Sequence, residues 1–505
     1  MPITSLDTPL KLPPDARNLR VSFAQGAASH FTRIADDLID YPYGCVEQTS
    51  SRLIPLTMAL QGMRGGAPEV RERLLATLQA ERLRLVAMAG PDAVFGWWGN
   101  GTREDPLMTA YAYYADWLAA RSLGIEMPAE HWNNVLAVYG KHGLKAPLFD
   151  RALVLWLAHE MGLPTQTLVT GLVEDHGGMR LRDGTARGAS LGSLVLDAPA
   201  DGNRDALGLA LLSMLAGDEG TALPPALEAQ VDVAWKRVAA MPAPLARALA
   251  LLDGRLPALQ ADVLLSSVRA EMPTMDRALT LVWVQKKLGG APVPKGPVLV
   301  LDEAWQPVSG ASTLASWRPR AAGALPERLR LAQAAPAGTV AVIEYESRAP
   351  QVQSLAVGVK RRILRMVPAK NGYRLQPLKA SEVLRTDQLY MDEVTLTPTA
   401  KAGRPRFGLV EVALPPGANV EPTTWGIKLL GGKEPTPLER ARHVSRRDGY
   451  AVPIDVLEGE VKVRHLLRFA QKGSYGLPPA RYYRMYQPDQ VAFEGAGGRR
   501  VLQVK

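Results

Sequence analysis

The only sulfur nucleophile in the chain is Cys45, in the run Asp40-Tyr41-Pro42-Tyr43-Gly44-Cys45-Val46-Glu47-Gln48-Thr49-Ser50-Ser51, three residues before Gln48. Pro42 and Gly44 bend the chain ahead of the cysteine and a helical pattern resumes near Thr49, so the spacing predicts Cys45 at the mouth of a helix. Backbone N–H groups at such a mouth favour a thiolate. One helical turn brings the Gln48 carboxamide carbon within reach of the sulfur. Attack there forms a C–S bond, breaks the C–N bond and releases ammonia, leaving an internal thioester. That group acylates amines and hydroxyls and persists where water is kept away. A Cys-x-x-Gln pair taken alone proves little, and a buried structural cysteine is the ordinary reading of it. A single cysteine excludes an internal disulfide and a multi-cysteine metal site, and neither a metal nor a cofactor is expected.

The segment that must position this pair is helical. From about Gln25 to Gly290, apolar residues recur at three and four in Val70–Met88, Leu107–Leu123, Ala129–Tyr139, Phe149–Met161, Ala206–Leu215, Ala226–Met241 and Met275–Leu288, usually with Gly or Pro between them. Such a series either stacks as an open solenoid or closes into a ring of helical hairpins with an apolar inner layer. Ala152–Ala158 and Leu207–Leu212 are apolar on every side, which suits an inner layer, and no fixed 30–45 residue repeat favours the solenoid.

Beyond Gly290 the texture changes. Ala291–Pro297 is a linker by composition, and period-two runs follow at Thr339–Glu346, Ser354–Leu364, Phe407–Leu414 and Glu460–Phe469, which predicts two β domains parted near Val367–Gly372. The 505 residues carry a net charge of +9; residues 1–300 hold 28 basic and 31 acidic side chains, and residues 301–505 hold 31 and 19. The densest basic cluster, Lys360, Arg361, Arg362 and Arg365, reads as a solvated strand face, since no aromatic platform for nucleic acid is interleaved. No stretch of 18 apolar residues suggests a membrane span, and Met1–Arg20 has no secretory signal pattern.

Tyr41, Pro42, Tyr43, Gly44, Cys45, Glu47 and Gln48 together resemble the thioester signature of the α2-macroglobulin and complement family, in its bacterial α2-macroglobulin form. Gly96-Trp97-Trp98-Gly99 and Met108-Thr109-Ala110-Tyr111 are similar to the family's Trp-rich turn and the helix start that follows it. More loosely, Trp305–Ala311 and the strands up to Arg365 resemble the second half of a CUB domain, while Phe407–Gly417, Leu477–Ala480 and Met485–Pro488 resemble the last macroglobulin-like domain.

The resemblance implies a multidomain α + β chain. Residues 1–24 would end a preceding CUB or linker region, and 25–290 would form an all-α (α/α) toroid thioester domain. Residues 291–368 would be the second half of a CUB-like β domain, and 369–505 a C-terminal macroglobulin-like sandwich, corresponding to the receptor-binding domain of animal relatives. It implies an endopeptidase inhibitor of the periplasm or the periplasmic side of the inner membrane, not an enzyme. A protease cuts a bait segment, and one of its lysine amines takes the acyl group of Gln48. Only about 40 residues precede Cys45, so the bait and the earlier macroglobulin-like domains are expected on a longer chain or a partner chain.

The family also suggests shields for the thioester: Tyr41, and Met485 when the last domain packs on the toroid. Complement relatives with a histidine acyl carrier make His142 and His159 candidates by distance along the chain, although neither stands in a matching motif. Glu47 is expected only to cap or solvate the first helical turn, and Trp97, Trp98 and Tyr111 to pack a turn or core. Two other classes stay open: a thioester-bearing surface adhesion module, and an α/α-toroid enzyme without a thioester. Against the second, no Asp-x-Asp-Asp run is present.

Overall fold

The computed structural model describes residues 3, 5–39, 44–62, 68–90, 92–99, 104–127, 132–182, 202–270, 272–290, 299–308, 316–320, 325–346, 353–379, 382–400, 405–421, 427–430, 444–446, 449–494 and 501–505. The expected linker at 291–297 lies outside these. Two compact units divide the chain, Met1–Arg348 and Ala349–Lys505.

Twelve α-helices lie in the first unit among the described residues: α1 Gly26–Ile39, α2 Val46–Gly62, α3 Pro68–Val86, α4 Pro106–Ser122, α5 Asn134–Val138, α6 Leu148–Glu160, α7 Gln166–Asp175, α8 Gly202–Asp218, α9 Pro225–Ala240, α10 Pro244–Leu252, α11 Ala261–Ser266 and α12 Thr274–Leu288. Local chemistry sets their ends. Asp105 caps α4 by accepting the Met108 N–H, with Pro106 at the first helical position, where a missing N–H costs nothing. Gly289, at φ +71°, closes α12 in the left-handed conformation that glycine adopts without strain. Packing contacts run from α2 to α4, α6, α8, α9, α10 and α12, and α12 returns to α2, so the helices form a closed circuit. Its inner members are the apolar segments read from the sequence: Ala152–Ala158 of α6 and Leu209–Leu212 of α8 are fully or almost fully buried. At Gly208 an added Cβ would stand 2.7 Å from the backbone nitrogen of Phe149, so the glycine lets α6 and α8 approach at backbone distance.

A four-stranded antiparallel sheet completes this unit, built from β2 Arg17–Ala24, β3 Trp305–Val308, β4 Ser316–Pro319 and β6 Val340–Glu346, in the order β3-β4-β2-β6. Residues 1–24 therefore contribute an inner strand of a sheet whose other strands lie some 300 residues on, with Val21 opposite Trp317 and Ile343. A separate pair joins β1 Asp7–Pro9 to β5 Arg328–Arg330.

The second unit holds β7 Gln353–Ser354, β8 Val357–Ala369, β9 Gly372–Pro377, β10 Leu389–Pro398, β11 Arg406–Ala413, β12 Ala418–Val420, β13 Val444–Arg446, β14 Gly449–Val456, β15 Val461–Phe469, β16 Gly473–Gly476, β17 Ala480–Arg484, β18 Gln487–Phe493 and β19 Val501–Val504. A five-stranded sheet, β12-β15-β10-β8-β9, and a six-stranded sheet, β13-β14-β11-β17-β18-β7, share a core in which Val357, Val359, Val394, Leu396 and Val463 meet Val410, Val412, Tyr450, Val452 and Tyr482. The boundary expected between residues 368 and 369 runs through β8, and the division at Arg348/Ala349 replaces it. β8 pairs with β10 along nine residues, from Tyr390↔Arg365 to Pro398↔Val357. Alternation identified this strand correctly, but a period of two does not specify which sheet it joins.

The basic run is likewise not wholly solvated. Strand alternation turns Arg361 inward, where it is fully buried and meets Asp392 twice, Nε to Oδ1 at 3.0 Å and Nη2 to Oδ2 at 2.7 Å. Its Nη1 also donates to the carbonyls of Ala413 and Pro478, and the Tyr450 hydroxyl donates to Asp392 Oδ2.

Candidate functional site

Cys45 immediately precedes α2 and acts as its cap: the Thr49 N–H donates to the Cys45 carbonyl at 2.9 Å. The Cys45 N–H in turn donates to Gln48 Oε1 at 3.3 Å, which folds the carboxamide back onto the cysteine across one turn. Both side chains are buried, at 6% and 2% exposure. Gln48 Nε2 has no hydrogen-bond partner among the described residues. The structure thus joins Cys45 and Gln48 by this one backbone-to-carboxamide hydrogen bond.

The thiol is not predisposed to ionise. Burial, first, and then the Glu47 carboxylate push it far above its ordinary range, against the downward pull of the backbone N–H groups of Gln48, Glu47 and Cys45. The helix mouth expected to favour a thiolate is present, but desolvation outweighs it.

The elements around the site explain the two downstream motifs. The Val46 N–H, otherwise an orphan of the helix start, donates to the Trp97 carbonyl at 3.1 Å. That Trp-rich turn is fixed on α4: Trp97 Nε1 donates to Asp105 Oδ2, and the Phe95 N–H donates to Thr109 Oγ1. Tyr111, buried one turn along α4, exchanges a hydrogen bond of 2.8 Å with Ser51 of α2. Gly44, beside the cysteine, leaves room for the Arg84 guanidinium; a Cβ there would stand 1.8 Å from Arg84 Nη2.

Glu47 is not a solvated cap. It is fully buried, and both carboxylate oxygens accept from Thr274 Oγ1, at 2.6 and 2.7 Å, while Oε1 also accepts from Ser51 Oγ at 3.1 Å. Thr274 starts α12, so this carboxylate ties the two helices that close the circuit. Sequence reasoning missed Thr274 altogether, because no local pattern joins residues 227 apart. A glutamate inside the motif itself was the signal that offered a start.

Tyr41 lies outside the described residues. Met485 is buried within the second unit, its N–H donating to the Phe407 carbonyl. His142 sits in a π-helical turn, Tyr139–Gly143, where Nε2 meets Glu104 at 2.9 Å beside Lys141. His159, near the end of α6, places Nδ1 2.8 Å from Glu219. Among the described residues no group of three or more His, Cys, Asp or Glu could hold a metal ion, and no helix is long and apolar enough to cross a membrane.

The fold has solved counterparts. The fold is similar to that of native α2-macroglobulin from Escherichia coli spanning domain MG7 to the C-terminus (TM-score 0.59, 17% identity, 98% of this chain and 80% of that one). It is equally similar to Salmonella α2-macroglobulin reacted with methylamine (TM-score 0.60, 18% identity, 99% of this chain and 33% of that one). No protein-family model matches. A curated relative from Ralstonia nicotianae named alpha-2-macroglobulin is 38% identical over 544 aligned positions, covering 98% of this chain and 34% of the relative. The chain belongs to the bacterial α2-macroglobulin family, and it spans about a third of the length of that relative.

Proposed function

We propose that this chain carries the covalent arm of a protease trap, in which Cys45 and Gln48 close an internal thioester and the acyl group of Gln48 passes to a lysine amine of a captured endopeptidase. The observation that carries this reading is the first turn of α2. There the carboxamide lies folded against Cys45, and its amino group is buried without a partner among the described residues. Release of that nitrogen as ammonia removes a buried unsatisfied donor as the ring closes, so the site favours the bond it stores. The methylamine-reacted Salmonella neighbour supports the reading, since methylamine is a small mimic of a lysine side chain.

The closed circuit of helices is read as the α/α toroid of a thioester domain, and the four-stranded sheet as a CUB-like domain that the helices interrupt. The second unit is read as the C-terminal macroglobulin-like domain, with Met485 and Tyr41 as shields of the thioester. The engagement of His142 with Glu104 and of His159 with Glu219 supports direct aminolysis without a histidine acyl carrier. The bait that senses the protease belongs to other segments or a partner, in a periplasmic setting.

Intact mass and thiol titration test the proposal. The folded chain should be lighter by one ammonia and should show no titratable thiol. Methylamine should then release one thiol and add its own mass at Gln48, and Cys45→Ala or Gln48→Ala should abolish both signals. Full mass together with rapid thiol labelling of untreated, folded protein would sink it.

A further inference from the structure

Thr274, the first residue of α12, takes no part in the chemistry above, yet its Oγ1 lies 2.6 and 2.7 Å from the two carboxyl oxygens of Glu47, inside the reactive turn. Both residues are buried, Thr274 at 1% exposure and Glu47 at 0%. A carboxyl group held inside the protein costs desolvation that a solvated cap would avoid, so its place needs a reason. We propose that Thr274 is a positioning residue for the thioester: through Glu47 it fixes the first turn of α2 in the shape that lets Cys45 and Gln48 join. The proposal rests on the thioester reading.

Ring closure forms the bond from Cys45 Sγ to the Gln48 carboxamide carbon and breaks the bond from that carbon to Nε2. The thiol proton leaves with the nitrogen as ammonia. Negative charge passes through the carboxamide oxygen on the way, and that oxygen already accepts from the Cys45 N–H at 3.3 Å. Such an intramolecular step depends above all on how the reacting groups are oriented. A helix start is a poor place to hold an orientation, because its first N–H groups have no partner within the helix. Here two outside contacts supply what the helix lacks. The Trp97 carbonyl fixes the Val46 N–H at 3.1 Å, and Thr274 fixes the side chain of the next residue, Glu47. Gln48 follows directly, so its backbone is held by its neighbours.

The other hydroxyl on Glu47 cannot do this alone. Ser51 lies one turn along the same helix, so its bond to Oε1 at 3.1 Å stiffens α2 without tying its first turn to anything outside. Thr274 reaches the turn from α12, the helix that closes the circuit on α2. The two helices also meet far from the reactive turn, where Gln285 Nε2 donates to Gln61 Oε1 at 3.3 Å on the exposed surface. Their contact therefore has a buried end at the reactive turn and an exposed end away from it, and only the buried end shapes the thioester.

The test compares wild type, Thr274→Val, Thr274→Ser and Gln285→Ala in the full chain. It reads the fraction of molecules lighter by one ammonia, the matching loss of titratable thiol, and the unfolding midpoint. Thr274→Val keeps the shape and loses the hydroxyl. At a temperature where every variant is folded, it should lower the ring-closed fraction by on the order of threefold or more, as displacement of a reacting group does. Thr274→Ser returns the donor and should restore the fraction, and Gln285→Ala should leave it at the wild-type value. A Thr274→Val protein with a lower midpoint but the wild-type closed fraction would overturn the proposal, since the hydroxyl would then serve stability alone. An equal loss in Gln285→Ala would overturn it as well. Glu47→Asp keeps the question measurable if Thr274→Val does not fold: its shorter side chain stops short of Thr274, and a wild-type closed fraction there would again overturn the proposal. A wild-type chain of full mass with a free thiol would instead overturn the thioester reading itself.

Discussion

Each unit buries a carboxylate, and each treats it differently. In the second unit Asp392 is met by the Arg361 guanidinium through two parallel bonds, inside a core where neither side chain is exposed. In the first unit Glu47 is met by hydroxyls of Thr274 and Ser51. A guanidinium answers a carboxylate with opposite charge and a rigid fork, so the pair is a fixture of the sandwich and its field is largely cancelled nearby. Hydroxyls meet a carboxylate with oriented dipoles, and here two of them hold the buried Glu47, one from its own helix α2 and one from α12. A buried carboxylate therefore fixes strands in one unit and ties two helices in the other.

The largest effect should follow from breaking the architectural pair. Asp392→Ala removes the carboxylate that Arg361 meets twice and should destabilise the second unit by about 3–5 kcal/mol, the usual consequence of removing one partner from a buried ion pair. Denaturant unfolding followed by a probe in that unit would show it, and a loss below about 1 kcal/mol would mean that the pair behaves like a surface contact. In the first unit, Thr274→Val preserves shape but takes the shared donor from Glu47. It should cost the helical unit about 1–3 kcal/mol, as expected when a charged acceptor loses a hydrogen bond. Were Thr274→Val to cost as much as Asp392→Ala, the contrast between the two carboxylates would fail.

The same pair of residues shows what the sequence made legible and what it did not. Cys45 and Gln48 lie within one helical turn, so their hydrogen bond is a local contact of the kind that spacing makes legible. The helical texture of α4, α6 and α12 was readable for the same reason, because a 3.6-residue period is a local property. The partners of Glu47 and Arg361 were not readable. Thr274 is 227 residues from Glu47 and Asp392 is 31 from Arg361, and both pairings follow from tertiary register. The assignment of β8 failed on the same ground, since Val357–Ala369 alternates as a strand in any sheet that would accept it. The chain's first residues are read as the end of a preceding CUB or linker region, and that reading did not say that Arg17–Ala24 forms an inner strand whose neighbours come after the whole helical segment. Closure across some 300 residues leaves no mark in a window of ten.

A smaller effect separates charge cancellation from solvation by pH. On β10, the central strand of the five-stranded sheet, the buried Glu393 accepts from Arg362 and Arg464. Burial pushes its carboxyl up, but these two hydrogen bonds outweigh burial and hold it below its ordinary 4.5. A folded value depressed below the unfolded one gives a contribution that is complete above the unfolded value and is lost as pH falls through the folded one. Wild type should therefore exceed Glu393→Gln in stability near neutrality, and the gap should narrow as the solution is acidified below the ordinary carboxylate range. Unfolding midpoints of both proteins along a pH series would show this, and a gap that widens in acid would reverse the sign of the argument.

The smallest effect is expected at Gly44, and it tests whether the reactive site is as rigid as the sandwich. Two glycines, one in each unit, leave room for a large neighbour. A Cβ on Gly408 would stand 2.2 Å from the Tyr482 hydroxyl and 2.3 Å from its ring, and Tyr482 is fully buried with nowhere to move. A Cβ on Gly44 would stand 1.8 Å from Arg84 Nη2, a nominally worse clash. Arg84, however, is 40% exposed, and its ion pair with Glu81 spans 3.8 Å. Its guanidinium is the far end of a flexible side chain and can swing into solvent at little cost. Gly408→Ala should accordingly destabilise its unit by about 1–3 kcal/mol, as overpacking of a core does, whereas Gly44→Ala should cost under about 1 kcal/mol. Unfolding midpoints of the two variants decide the point. A loss at Gly44 as large as that at Gly408 would mean that Arg84 is held as firmly as a buried ring, and that the turn before Cys45 is clamped from outside as well as from below.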